Sequence, residues 1–132
     1  MRQFLSAVTL LFPCYEAGLA FYLGRPGFRL VGHTRLSHGK RRVVVAPPGA
    51  EEAGLLLFRA SSDEQRAAIG AQAGGRVFLF LHTEDFWRDH RRFRQAGVAF
   101  EEAPREEPYG TVAVFADPFG GRWDLIEPNG SR

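Results

Sequence analysis

The chain lacks several features that would stabilise or localise a small protein. It has one cysteine, Cys14, among 132 residues, so no internal disulfide can form and a reducing cytoplasm is expected. We interpret Cys14 as a small buried residue at the start of a helix. No stretch approaches the roughly 20 apolar residues that a membrane span needs, and no signal peptide is expected. The formal net charge of +2 is too small to predict a nucleic-acid partner.

What is present predicts one folded domain with an internal repeat. Hydrophobic residues make up 45% of the chain and charged residues 24%, which is typical of globular proteins. The second half repeats the layout of the first at an offset of about 70 positions, so that Gly27 recurs as Gly97. Such a repeat implies two βαβββ modules that share one sheet system and hold any ligand site between them. We place module one at 1–60, a linker at 61–75 and module two at 76–128.

Hydrophobic periodicity assigns the elements of each module. Helical spacing predicts a helix over 15–23 and a second one, capped by Thr83, with His90 on its buried face. A short helix capped by Ser62 is predicted in the linker. Alternation and turn residues predict strands at 4–12, 28–32, 41–46, 54–59, 76–82, 98–101, 111–115 and 122–127.

Several segments resemble the glyoxalase / bleomycin-resistance / extradiol-dioxygenase superfamily, whose members are also called vicinal oxygen chelate proteins. The segments are Leu19 to Tyr22, Gly27-Phe28, Gln95 to Val98 and the closing run Phe115 to Pro128. The resemblance implies an α+β fold in which tandem βαβββ modules form a curled mixed sheet around a cleft. Members of the superfamily commonly dimerise, so the resemblance also implies a homodimer. Metal-dependent members hold a divalent ion in the cleft with His, Gln or Glu side chains from four strands, and the ion acts as a Lewis acid.

The resemblance also places the four metal-ligand positions in this chain. They fall on Ala7, Leu57, Val77 and Asp124, with Phe78 in place of Val77 if the register slips by one. Three of the four side chains are hydrocarbon, and a lone carboxylate does not hold a divalent ion tightly. We therefore expect no cofactor. The alternative is a divalent metal held by ligands from unexpected places such as His38, His82 and Asp124.

Strand alternation predicts what lines the cleft in place of a metal site. The residues that share a face with the ligand positions are mostly apolar, whereas His82 is directed toward the helix layer. Such a cleft suits an apolar or aromatic small molecule that a few polar contacts orient. The predicted ligand-binding residues are Thr9, Leu57, Arg59, Val77, Leu79 and Asp124.

The polar residues of the predicted cleft leave their chemistry open. Asp124 is interpreted as a metal ligand, a general base or the anion that orients a cationic ligand, or else as a carboxylate that is solvated or paired with Arg59. Arg59 suits a substrate carboxylate, or it neutralises Asp124. Two main functions follow: a metal-independent protein that binds a small molecule, as drug-sequestering relatives do, and a metal-dependent lyase or ring-cleaving dioxygenase. An enzyme without a metal is the third hypothesis.

Overall fold

A computed structural model describes residues 1–50 and 53–130. Within these ranges the chain has nine strands, three α-helices and a 3-10 turn at Ser37–Gly39. The strands are β1 (Ala7–Phe12), β2 (Arg29–Arg35), β3 (Arg41–Ala46), β4 (Gly54–Arg59), β5 (Leu79–His82), β6 (Ala99–Phe100), β7 (Arg105–Glu107), β8 (Gly110–Ala116) and β9 (Arg122–Pro128). The helices are α1 (Tyr15–Gly24), α2 (Asp63–Ala68) and α3 (Phe86–Gln95). None of these helices is both long enough and apolar enough to cross a membrane.

The strands form two mixed sheets, one in each of two compact units. The first unit is Met1–Ile69, and the second begins at Gly70. The first sheet has the order β1-β4-β3-β2, and the second has the order β5-β9-β8-β6, with β7 also paired to β8. In each unit the first strand pairs in parallel with the last strand, as β1 does with β4 and β5 does with β9. The other strand pairs are antiparallel. The predicted α+β fold with a repeated βαβββ layout is confirmed.

Some strand boundaries differ from the predicted ones. β1 begins at Ala7 rather than at residue 4, and β5 begins at Leu79 rather than at residue 76. The charged strand β7 was not predicted, because a segment that contains Arg105 and two glutamates between prolines has no apolar alternation. It pairs with β8 at the border of the sheet, where charged side chains remain in contact with water and strand pairing does not require a hydrophobic face.

In the first unit, α1 packs closely on one face of the sheet. The close approach depends on Gly18, since a Cβ built there would lie 2.9 Å from Phe12 Cδ2 and 3.2 Å from Leu57 Cδ1. Phe12 and Leu57 are 1% and 0% exposed. Helix α1 therefore covers the face of the sheet that carries these two side chains, and their burial against the helix forms the core of this unit.

In the second unit, α3 covers one face of its sheet with a buried aromatic row. Phe86, His90 and Phe93 are buried on the inner side of the helix, as their spacing predicted. The ring of Phe93 meets that of Phe115 at 5.6 Å, edge to face, and Phe115 stacks on Trp123 at 5.8 Å. The core of this unit therefore runs from α3 through β8 to β9.

The helix N-termini confirm one predicted cap and correct two other predictions. Ser62 accepts a hydrogen bond from the Gln65 N–H at 3.1 Å, as predicted. The cap of α3 is Asp85, which accepts from the Arg88 N–H. Thr83 precedes it and accepts from the Asp85 N–H instead. Cys14 is the N-cap residue of α1, but it is exposed and makes no side-chain capping bond, so its predicted burial was wrong.

The contact at Gly18 predicts opposite effects of alanine at two glycines of one helix. Alanine normally stabilises a helix relative to glycine by up to about 1 kcal/mol, and no atom lies within 4 Å of a Cβ at Gly24. Gly18→Ala should instead lower the free energy of unfolding by about 1–3 kcal/mol, because the new methyl group overpacks the interface with Phe12. Urea denaturation of both variants measures the difference. A Gly18→Ala protein as stable as Gly24→Ala would contradict the packing.

Candidate functional site

The candidate site lies on the face of the second sheet that α3 does not cover. Asp124 is in β9 between two neighbouring strands, opposite Phe80 of β5 and Val114 of β8. Its chain neighbours Trp123 and Leu125 point the other way, into the core, and are 4% and 0% exposed. Because side chains alternate along a strand, this anchoring directs Asp124 to the uncovered face.

Asp124 is a buried carboxylate with an unpaired oxygen. The residue is 6% exposed, and its Oδ1 has no hydrogen-bond partner within the described ranges. Burial raises the pKa of this carboxyl group, Glu102 and Glu107 raise it further, and Arg105 opposes them. The interpretation of Asp124 as a solvated carboxylate was therefore wrong. A buried acceptor such as Oδ1 costs stability unless a partner satisfies it. Oδ2 also makes no hydrogen bond within the described ranges, and it is the oxygen that a ligand donor can reach.

Asp124 lies in an open pocket of about 690 Å³ with apolar walls and a charged rim. Phe80 is 67% exposed and forms an aromatic wall, while Val77 and Val114 add aliphatic surface. The rim consists of Arg76, Glu102, Arg105 and Arg122. The pocket therefore combines an apolar area with Asp124 and four other charged side chains, and apolar surface with a few polar groups is the usual composition of a small-molecule site.

The rim charges are largely held by their own partners. Arg105 Nε donates to Glu102 Oε1 at 3.0 Å, and the same guanidinium bonds Glu107. These bonds raise the pKa of Arg105 above its usual value, against the effect of desolvation. Arg122 donates to Glu101 at 2.8 Å and to the Gly75 carbonyl at 2.9 Å. The rim is thus a network of ion pairs, and Asp124 lies outside it with an unpaired oxygen.

Leu57 and Leu79 were predicted to face the cleft, but both lie on the helix-covered faces of their sheets. The predicted register of each strand was wrong by one residue. Leu57 pairs beside Leu10 and is fully buried against α1, whereas Leu56 pairs beside Thr9. Leu79 pairs beside the buried Trp123, on the side that α3 covers. A shift of one position moves every side chain of a strand to the opposite face.

The source of the register error at Leu79 is one additional residue after α1. The two glycines that follow the helices, Gly27 and Gly97, are 70 positions apart, but the helices begin at Tyr15 and Phe86, which are 71 apart. The strands that precede the helices therefore correspond at an offset of 71, which aligns Thr9 with Phe80. The spacing of the helix starts was the signal that could have identified Phe80.

The remaining predicted polar residues belong to the first unit. Thr9 is exposed on the face of β1 that α1 does not cover. Arg59 is half-buried on the α1 side, with its guanidinium carbon 5.9 Å from the centre of the Tyr15 ring. The charges that perturb Asp124 in the second unit are Arg105, Glu102 and Glu107. Arg59 is not among these charges, and the cation–π contact with Tyr15 accounts for its position.

Val77 and His82 lie near the two ends of β5. Val77 precedes the strand and lines the Asp124 pocket, and the neighbouring Phe78 N–H donates to the Arg122 carbonyl at 2.9 Å. His82 is exposed and pairs beside Ile126, so it shares the face of Phe80 and Asp124. Its predicted direction toward the helix layer was wrong, for the same one-residue reason.

The residues at the implied metal positions do not fit a divalent ion. Ala7, Val77 and either Leu56 or Leu57 offer no side-chain donor atom to a metal, and the charged residues that line the pocket beside Asp124 are Glu102 and three arginines. Glu102, the nearest carboxylate of the rim, is engaged by Arg105. Across residues 1–50 and 53–130, no three His, Cys, Asp or Glu side chains converge as a metal-binding group.

Comparisons with known proteins agree with this fold. A sequence profile of the Glyoxalase/Bleomycin resistance protein/Dioxygenase superfamily matches residues 5–125. An uncharacterized protein of Shewanella frigidimarina (strain NCIMB 400) is 47% identical over 130 residues, which cover 98% of this chain and 96% of that protein. The crystal structure of UcmS2 matches with a TM-score of 0.83 at 29% identity and covers 96% of this chain and 99% of its own. TnmS3, an antibiotic binding protein from Streptomyces sp. CB03234, matches with a TM-score of 0.80 at 28% identity and covers 97% of this chain and 98% of its own.

The buried carboxylate predicts a pH-dependent stability. Because burial raises the pKa of Asp124 in the folded state, the folded protein binds more protons than the unfolded chain between the ordinary and the raised pKa. Stability therefore falls as pH rises through that window. Asp124→Asn should raise the free energy of unfolding at pH 7 by roughly 1 kcal/mol, and the gain should vanish near about pH 3, where an unperturbed Asp is also protonated.

Urea denaturation across this pH range measures the effect. Glu84→Gln is the matched control, because it removes the same charge at an exposed position and should leave the pH dependence unchanged. If the free energy of unfolding of Asp124→Asn equalled that of the parent protein at every pH, the prediction that Asp124 is a buried charge would be contradicted.

Proposed function

The chain belongs to the Glyoxalase/Bleomycin resistance protein/Dioxygenase superfamily, and from this premise we propose that it binds an apolar or aromatic small molecule on the uncovered face of β5, β9 and β8. The observation that carries the proposal is the Asp124 carboxylate, which lines a pocket with Phe80 and makes no hydrogen bond within the described ranges. An acceptor that has no protein partner is satisfied when a ligand donates to it.

The pocket suggests how such a ligand is held. An aromatic ring packs against Phe80, and Val77 and Val114 remove further apolar surface from water. An N–H or O–H group of the ligand donates to Asp124, which sets its orientation. The structural similarity to TnmS3, an antibiotic binding protein, supports a ligand of drug-like size.

Binding is favoured here over catalysis because the described lining of the pocket gives Asp124 no nucleophile and no free acid–base partner. A lyase or dioxygenase of this superfamily draws on a metal and several converging donors, and Glu102, the carboxylate of the rim, is engaged by Arg105. The metal-dependent enzyme stays the alternative. A homodimer and a cytoplasmic location also stay predictions.

The proposed site predicts the binding of a neutral aromatic probe. N-phenyl-1-naphthylamine has two aromatic ring systems and one N–H donor, and its fluorescence rises in an apolar site. Phe80→Ala should weaken its binding by about tenfold, because a large aromatic contact is lost. Asp124→Ala removes the acceptor without adding bulk to the pocket, and it should weaken binding several-fold.

Leu36→Ala is the control for this titration, since Leu36 is an exposed apolar residue of the first unit and does not line the Asp124 pocket. Its dissociation constant should stay within twofold of the parent value. If Phe80→Ala bound the probe as tightly as the parent protein, the ligand would not bind on the uncovered sheet face, and the proposed site would be wrong.

The proposed absence of a metal is tested by elemental analysis. Protein purified without a chelator should contain far less than one equivalent of Fe, Ni, Zn or Mn per chain, because one carboxylate supplies too few ligands. Inductively coupled plasma mass spectrometry of the parent protein and of Asp124→Ala measures this content. Stoichiometric metal that is lost in Asp124→Ala would establish the metal-dependent alternative.

A further inference from the structure

The second unit has another pocket, formed by α3 and the segment after β6. Trp87 lies three and four positions before His90 and Arg91, which in turn lie four and three positions before Arg94, so the four residues form one stripe along α3. With Gln95 and Pro104 they line a pocket of about 570 Å³. None of these residues lines the Asp124 pocket, so we call this one the α3 pocket.

Aromatic surface and an imidazole without a protein hydrogen-bond partner in the described ranges line the α3 pocket. Trp87 is 54% exposed, which is a large apolar area for a surface side chain. His90 is 8% exposed, stacks on Phe86 at 5.5 Å and meets Phe100 at 4.4 Å. Its ring nitrogens have no hydrogen-bond partner in the described part of the chain. Burial and the charge of Arg94 lower the pKa of His90, so a neutral imidazole with one donor and one acceptor borders the pocket.

The arginines of α3 divide into a neutralised pair and an unneutralised pair. Arg88 and Arg92 lie 3.2 Å and 3.7 Å from the Asp89 carboxylate. Arg91 and Arg94 line the pocket and have no ion pair with a carboxylate in residues 1–50 or 53–130. The positive charge at the α3 pocket is therefore available to an anion.

We propose that the α3 pocket binds an aromatic carboxylate. The ring of the ligand lies against Trp87 and Pro104, where offset stacking and apolar contact hold it. The carboxylate accepts charge-assisted hydrogen bonds from Arg91 and Arg94, and His90 donates to a carboxylate oxygen. The ligand class follows from the combination of an exposed indole, two unneutralised guanidinium groups and an unpaired imidazole. It does not depend on the function proposed for the Asp124 pocket.

The probe for this site is 2-naphthoate, and 2-naphthamide is its uncharged counterpart of the same shape. The two tryptophans of the chain give separate indole N–H signals in a nitrogen-15 NMR spectrum. On titration with 2-naphthoate at neutral pH, the Trp87 signal should shift to saturation while that of Trp123, which is 4% exposed, stays in place. The amide should bind at least about tenfold more weakly, because it lacks the charge.

Variants in the same helix locate the site by calorimetry. Arg94→Gln should weaken 2-naphthoate binding by about tenfold. His90→Phe keeps the aromatic packing but removes the ring nitrogens, and it should weaken binding several-fold. Arg88→Gln removes the same charge from the helix outside the pocket, and its affinity should stay within twofold of the parent value.

Three outcomes would overturn the proposal. The first is a Trp87 signal that does not move at millimolar 2-naphthoate. The second is an equal loss of affinity in Arg88→Gln and Arg94→Gln, which would show attraction to the charged helix as a whole. The third is a loss of 2-naphthoate binding in Phe80→Ala, which would assign the probe to the Asp124 pocket and leave the function proposed for that pocket standing.

Discussion

The parallel pairing of the first and last strands of each unit is the constraint on which the rest of the structure depends. β1 lies beside β4, and β5 lies beside β9. Parallel neighbours cannot be joined by a tight turn, so the chain must cross over between them. Each crossover contains a helix that packs on one face of its sheet. The other face of each sheet is not covered by that helix.

Because of this asymmetry, alternate residues of one strand have different roles: those on the covered face form the core, and those on the other face can contact a ligand. In β9, Trp123 and Leu125 are buried in the core, and they hold the intervening Asp124 on the uncovered face. The carboxylate costs stability, because burial opposes its ionised form. The apolar residues on either side offset that cost, which lets a rigid strand carry an unsatisfied acceptor in a fixed direction. Proteins keep such groups most often where they bind something.

The second unit presents two surfaces with opposite preferences. The Asp124 pocket combines apolar walls with a carboxylate and favours a ligand that donates a hydrogen bond. The α3 pocket combines Trp87 with Arg91 and Arg94 and favours an anion. Both are built from side chains whose neighbours in sequence belong to the core, such as Phe86 and Phe93 beside Trp87 and Arg94. The same packing therefore positions both surfaces.

The sequence by itself determined the α+β class, the repeated module and the buried row Phe86, His90 and Phe93, because hydrophobic periodicity and turn residues act locally. It also singled out Asp124, through the resemblance of the closing run. Only the tertiary structure decided which side chains join Asp124, since β5 and β9 are far apart in sequence and their register is set by pairing. A shift of one residue exchanges Leu79 for Phe80 at the site, and only the observed hydrogen-bonded register distinguishes the two.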